Sequence, residues 1–100
     1  MKVNAQSVNF NAEEGLIDFV QNRLNKLETF YDKVISSDVF LKLDNNNLKE
    51  NKIVEIKLNV PRNNFIVKKQ CKSFEEGADA ALNSLGRQLK KHKEKLRAYL

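Results

Sequence analysis

Residues 34–71 read VISSDVFLKLDNNNLKENKIVEIKLNVPRNNFIVKKQC, and the rhythm of this stretch decides the fold. In residues 34–43 the apolar positions keep period two, with Val39, Leu41 and Leu43 on one side and Asp38, Phe40 and Lys42 on the other. Residues 53–60 do the same: Val54, Ile56, Leu58 and Val60 alternate with Glu55, Lys57 and Asn59. Successive side chains of a strand point to opposite faces, so this is the pattern of strands with one face buried. Between them residues 44–51, DNNNLKEN, are polar and Asn-rich, the composition of a hairpin loop. Residues 61–64, Pro-Arg-Asn-Asn, predict a second turn. Residues 65–71 predict a third strand, although consecutive Lys68 and Lys69 blur its alternation. Strands joined this closely predict an antiparallel meander.

Upstream, the period changes. Over residues 12–31, Leu16, Val20, Leu24, Leu27 and Tyr31 recur every three or four positions, flanked by Phe19 and Phe30, as on one face of a helix. Asn11 stands three residues before Glu14, the spacing of a capping box. Residues 2–8 alternate Val3 and Ala5 with Lys2, Asn4 and Gln6, a half-buried leading strand. Downstream, Ser73 and Glu76 form a more regular capping box. The helix that follows carries Ala78, Ala81, Leu82, Leu85, Leu89, His92 and Leu96 on one stripe. Run to about Arg97, it is ~36 Å long at 1.5 Å per residue. The sheet and the first helix span less than that, so the basic end of this helix is expected to project.

The order β-α-β-β-β-α predicts one α+β domain over residues 1–100, a two-layer sandwich with a four-stranded sheet and both helices on one face. Its expected core is Val20, Leu24, Leu27, Val39, Leu41, Ile56, Leu58, Leu82, Leu85 and Leu89. The topology resembles the double-stranded-RNA-binding domain with an extra leading strand.

Charge is distributed unevenly. Residues 1–61 carry eight Lys/Arg against nine Asp/Glu, whereas residues 62–100 carry ten against four. Arg87, Lys90, Lys91, Lys93, Lys95 and Arg97 fan over the solvent side of the last helix, with Glu94 as the one acid among them. Such a surface calls for a polyanion. A fan suits a helix end pushed between phosphate backbones, whereas a membrane surface would favour one narrow stripe with exposed aromatics. Lys68, Lys69 and Lys72 precede this helix and are expected to join its patch if their strand runs alongside. Arg23 and Lys26 add charge on the first helix, Arg23 from within its apolar stripe. Most Phe fall on core positions, so phosphate and shape recognition is expected rather than base stacking.

Catalytic constellations are missing. His92 is the single histidine and Cys71 the single cysteine, on different elements and without an orienting carboxylate. His92 reads as a packing residue near a helix end. Cys71 reads as a small apolar residue, although neighbouring lysines leave open an activated, oxidisable thiol. No Gly-rich phosphate loop, metal-ligand pattern or nucleophile elbow occurs, so neither enzyme activity nor a metal, cofactor or small-molecule substrate is expected. Residues 1–10 lack the features of a secretory leader and no apolar run approaches membrane-spanning length, which predicts a cytoplasmic chain without a membrane partner.

Two stretches carry a family resemblance. Leu85-Gly-Arg-Gln-Leu-Lys-Lys-His-Lys-Glu-Lys-Leu96 resembles the closing helix of ribosome hibernation-promoting factors and the related ribosome-associated inhibitor, once named sigma-54 modulation proteins. Leu24-Asn-Lys-Leu-Glu-Thr-Phe-Tyr-Asp32 resembles that family's K-L-E-x-(Y/F)-(F/Y)-D ending of the first helix. The likeness runs from Lys2 to Leu96 in matching element order. It implies a factor that binds the small ribosomal subunit and its 16S rRNA where messenger and transfer RNA lie, silences ribosomes in starvation or stationary phase, and is monomeric off the ribosome. Carried over, the family's basic residues fall on Arg87, Lys90, Lys91, Lys93 and Lys95 and on Arg23 and Lys26; Lys68, Lys69 and Lys72 are added here from charge and proximity. Where many relatives have Asp-x-Tyr this chain has Ser73-Phe74-Glu75. Its end at Leu100 suggests the short form, without a C-terminal dimerisation domain or inhibitor tail. A general double-stranded-RNA-binding module and a protein-interaction modulator of transcription are the competing readings.

Overall fold

The computed structural model describes residues 2–8, 10–44 and 50–98, with side chains through Lys95. Most of the 44–51 loop, the side chains of Leu96 and Arg97, and the last two residues lie outside the described set. The elements are β1 (Lys2–Val8), α1 (Glu14–Phe30), β2 (Ser36–Leu43), β3 (Lys52–Val60), β4 (Asn63–Cys71) and α2 (Phe74–Ala98). The four strands form one sheet in sequence order. β1 pairs parallel to β2, with α1 as the crossover between them, while β2–β3 and β3–β4 are antiparallel as the short turns require.

Period two becomes a buried layer through register. Val39 faces Ile56, which faces Val67, and Leu41 faces Val54, so the inward residues of successive strands line up. Onto this face α1 lays Val20 and Leu24, and α2 lays Ala78, Ala81, Leu82, Leu85 and Leu89, all in one buried cluster. The fold is therefore the expected two-layer α+β sandwich with both helices on the same side. Of the expected core residues all are buried except Leu27, which packs half-buried against the cluster. Leu27 borders an open groove between the two helices.

Local corrections have physical causes. The α1 capping box does not form: Glu13 is the N-cap, makes no side-chain cap bond, and its carbonyl accepts from the N–H groups of Leu16 and Ile17. The Ser73 box does form on one side, with Ser73 Oγ accepting from Glu76 N–H at 3.2 Å. The turn expected over residues 61–64 tightens to Pro61-Arg62, because Val60 already pairs with Asn63 and β4 starts there. Arg62 takes φ 67°, the left-handed region.

Gly77 sets how closely α2 approaches the sheet. A Cβ there would lie 2.9 Å from Val54 Cγ2, so any side chain would force the helix off β3. Cys71 also borders Gly77, whereas Phe65 meets His92 with ring centroids 5.5 Å apart. Hence α2 runs antiparallel to β4, and its basic half lies at the β3–β4 turn. No described helix is long and apolar enough to cross a membrane.

Candidate nucleic-acid interface

Between the last turns of α1 and the middle of α2 lies an open groove of ≈ 570 Å³. Its apolar floor is Leu27, Leu82 and Gly86, and its walls carry Arg23 and Lys26 from α1 and Arg87 and Lys90 from α2. These four cations are far apart in sequence. Spacings of three residues within each helix put Arg23 with Lys26, and Arg87 with Lys90, on one flank of their helices. Among the described residues, Lys26, Arg87 and Lys90 have no acidic partner.

Arg23 is different. Its guanidinium forms an ion pair with Asp79 across the two helices and lies 6.0 Å from the centre of the Phe19 ring. This explains a charge in an apolar stripe: the stem packs while the head meets a partner that sequence reading overlooked. The pair is half-exposed, so it ties the helices weakly and leaves Arg23 partly available to the groove.

Lys93 lies beside the groove, in a smaller hollow shared with Phe30, Lys90 and Glu94. Its ammonium donates to the Phe30 carbonyl at 3.3 Å and lies 4.9 Å from the centre of the Phe30 ring. α1 has no basic residue in its own last turn, so a lysine from α2 supplies the positive charge that its carbonyl end favours. Phe30, which flanks the apolar stripe of α1, is 44% exposed and lines the groove, whereas Phe10, Phe19, Phe65 and Phe74 pack against the core.

Lys91 and Lys95 fall on the other side of α2, with Asn63, Phe65, Gln88 and His92 around a second groove of ≈ 280 Å³ against β4. His92 fills a structural role as expected, edge-on to both Tyr31 and Phe65 at 5.8 and 5.5 Å. Lys68, Lys69 and Lys72 do not merge with this patch. Lys68 lies on the sheet face away from the helices, opposite Glu55; Lys69 lies half-buried opposite Val54; and Lys72 is exposed between β4 and α2. Lys72 immediately precedes the first turn of α2, ~20 Å along the helix from Arg87.

Cys71 is not activated. Burial first, then the carboxylates of Glu76 and Glu50, push its thiol up, and Lys69 offsets this in part. The lysines adjacent in sequence are outweighed by desolvation and by acids the fold brings in.

Comparison with known proteins agrees with the sequence resemblance. A family model described as sigma 54 modulation protein / S30EA ribosomal protein matches residues 3–97. The chain is 30% identical over 100 residues to a ribosome hibernation promoting factor of Pseudomonas putida, covering all of this chain and 94% of that one. It is 29% identical over 98 residues to the ribosome hibernation promotion factor of Bacillus subtilis, covering 96% of this chain and 50% of that one. Among solved structures, a ribosomal subunit interface protein from Coxiella burnetii superposes with TM-score 0.83 at 16% identity, over 94% of this chain and 99% of that one. The N-terminal domain of Thermus thermophilus Protein Y gives 0.78 at 20% identity, over 92% and 99%. At such identities the structural likeness speaks for the fold.

Proposed function

Because the chain belongs to the sigma 54 modulation protein / S30EA ribosomal protein family, we propose that it is a non-enzymatic, ribosome-binding regulator of translation acting in the cytoplasm. It occupies the messenger and transfer RNA channel of the small subunit, contacts 16S rRNA there, and holds ribosomes idle in starved or stationary cells. One observation carries the reading: four cations from two rigid helices converge on a single open groove, three of them without an acidic partner among the described residues. An open, positively walled trough fits a polynucleotide backbone and offers no enclosure for a small substrate. Rigid helices also fix the cations without the entropy loss of ordering a loop.

In this reading Arg23, Lys26, Arg87 and Lys90 grip phosphates, Lys93 stands beside the groove, and Lys91 and Lys95 serve the opposite flank. Any RNA contact by Lys68, Lys69 and Lys72 is separate from the groove, since none of them lines it. The test is sucrose-gradient fractionation of a stationary-phase lysate, probed for this protein. It should sediment with small subunits or whole ribosomes and leave them on raising salt. Equal partition to arbitrary RNA duplexes, or association with RNA polymerase in place of ribosomes, would refute it.

A further inference from the structure

The β3–β4 turn is two residues long, and its second residue lies at φ 67°. Pro61 holds the first position near φ −65°, so the turn has the sign pattern that calls for Gly or Asn at the second. Arginine occupies it instead. A Cβ in the left-handed region collides with the following carbonyl, so this residue type weakens the fold where Gly would not. Arg62 is exposed, with no acidic partner among the described residues. It is also the one non-glycine residue with positive φ among those described. Strain retained at an exposed position points to use of the side chain.

Its neighbours indicate the use. Asn63, the next residue, lines the groove between β4 and α2 together with Lys91 and Lys95. Among the described residues no acid lines that groove. The two grooves lie on opposite flanks of α2, with Gly86 and Lys90 lining one and Gln88 and Lys95 the other, while Arg87 and Lys91, four residues apart, adjoin on the crest between them. A helix is ~10 Å across with its side chains, too wide for one phosphate backbone to lie in both grooves at once.

We infer that Arg62, Asn63, Lys91 and Lys95 form a second phosphate-backbone site, and that the basic half of α2 is a wedge gripped by two separate stretches of RNA backbone. Arg62 reaches the outer stretch from the turn. Asn63 adds a neutral donor, and the two lysines supply the helix side. The inference rests on the ribosome-binding reading and extends it to a residue outside the two basic helices.

Arg62→Gly and Arg62→Lys test it by ribosome co-sedimentation across a salt series, with thermal melts alongside. Arg62→Gly should raise Tm by roughly 4 °C, because the turn is relieved. It should still weaken binding and flatten the slope of log affinity against log salt by about 0.7–0.9, one phosphate contact. Arg62→Lys keeps the charge and the strain, so it should keep most of the binding and slope without the rise in Tm. For the wedge, hydroxyl-radical cleavage directed from Arg62→Cys and from Lys26→Cys, each in a Cys71→Ser background, should cut two different backbone stretches. An Arg62→Gly protein with wild-type affinity and slope overturns the second site, and identical cleavage patterns overturn the wedge. Wild-type protein that does not sediment with ribosomes overturns the underlying reading instead.

Discussion

Replacing Arg87 and Lys90 together by alanine strips the α2 wall of the interhelix groove while leaving the core untouched. Both side chains are exposed, both face away from the buried stripe of Leu82, Leu85 and Leu89, and neither has an ion-pair partner among the described residues. Alanine is the better helix former, so stability should stay within about 0.5 kcal/mol of wild type. Binding should change much more. Each phosphate contact contributes about 0.9 to the slope of log affinity against log salt on a duplex, so between 50 and 200 mM salt one contact accounts for a fall of ~3.5-fold. Losing two should flatten the slope by about 1.8 and shrink the salt-induced fall by ~12-fold. Ribosome co-sedimentation at several salt concentrations, with circular dichroism to verify folding, measures both quantities. Leu85→Ala is the opposite control: Leu85 is 0% exposed, and its truncation should cost ~2–5 kcal/mol through the cavity left behind. A folded Arg87/Lys90 variant that binds with wild-type affinity and slope would mean that this wall is merely a solubilising surface, and the groove assignment would fail.

Three further outcomes follow from particular contacts. Asp79→Asn releases Arg23 into the groove; ribosome affinity should rise several-fold at low salt, for at most ~1 kcal/mol of lost stability, and a folded variant that binds more weakly would show that Asp79 holds Arg23 in its binding pose. Gly77→Ala gains about 1 kcal/mol of helix propensity but crowds Val54 at 2.9 Å, so a net loss of ~1 kcal/mol is expected in urea melts, and the sign should reverse in a Val54→Ala background. Ser37 is buried on β2, its hydroxyl without a hydrogen-bond partner among the described residues; Ser37→Ala should therefore raise stability by ~1 kcal/mol with ribosome binding unchanged, and a drop of that size would reveal a partner for the hydroxyl.

Elements and burial were legible in the sequence because they depend on local periods. Alternation in residues 53–60 and the 3.6-residue stripe from Ala78 to Leu89 each specify an apolar face, and a face has one way to escape water: against another of its kind. The basic character of the last helix was equally plain. Packing decided the rest. Whether two cations share a groove depends on the crossing of α1 and α2, which no period within either helix encodes; hence Arg23 and Lys26 join Arg87 and Lys90 while Lys91 and Lys95 turn toward β4. Lys68, Lys69 and Lys72 looked close to the basic helix along the chain, yet Lys68 points to the opposite face of the sheet and the antiparallel run of α2 against β4 leaves Lys72 at the helix's far end. Asp79 beside Arg23, Lys93 on the α1 carbonyl end and the left-handed Arg62 likewise had no signature in spacing. Sequence period fixes which way a side chain points from its own element, but a site is made where side chains of different elements meet, and that distance is set by how the elements pack.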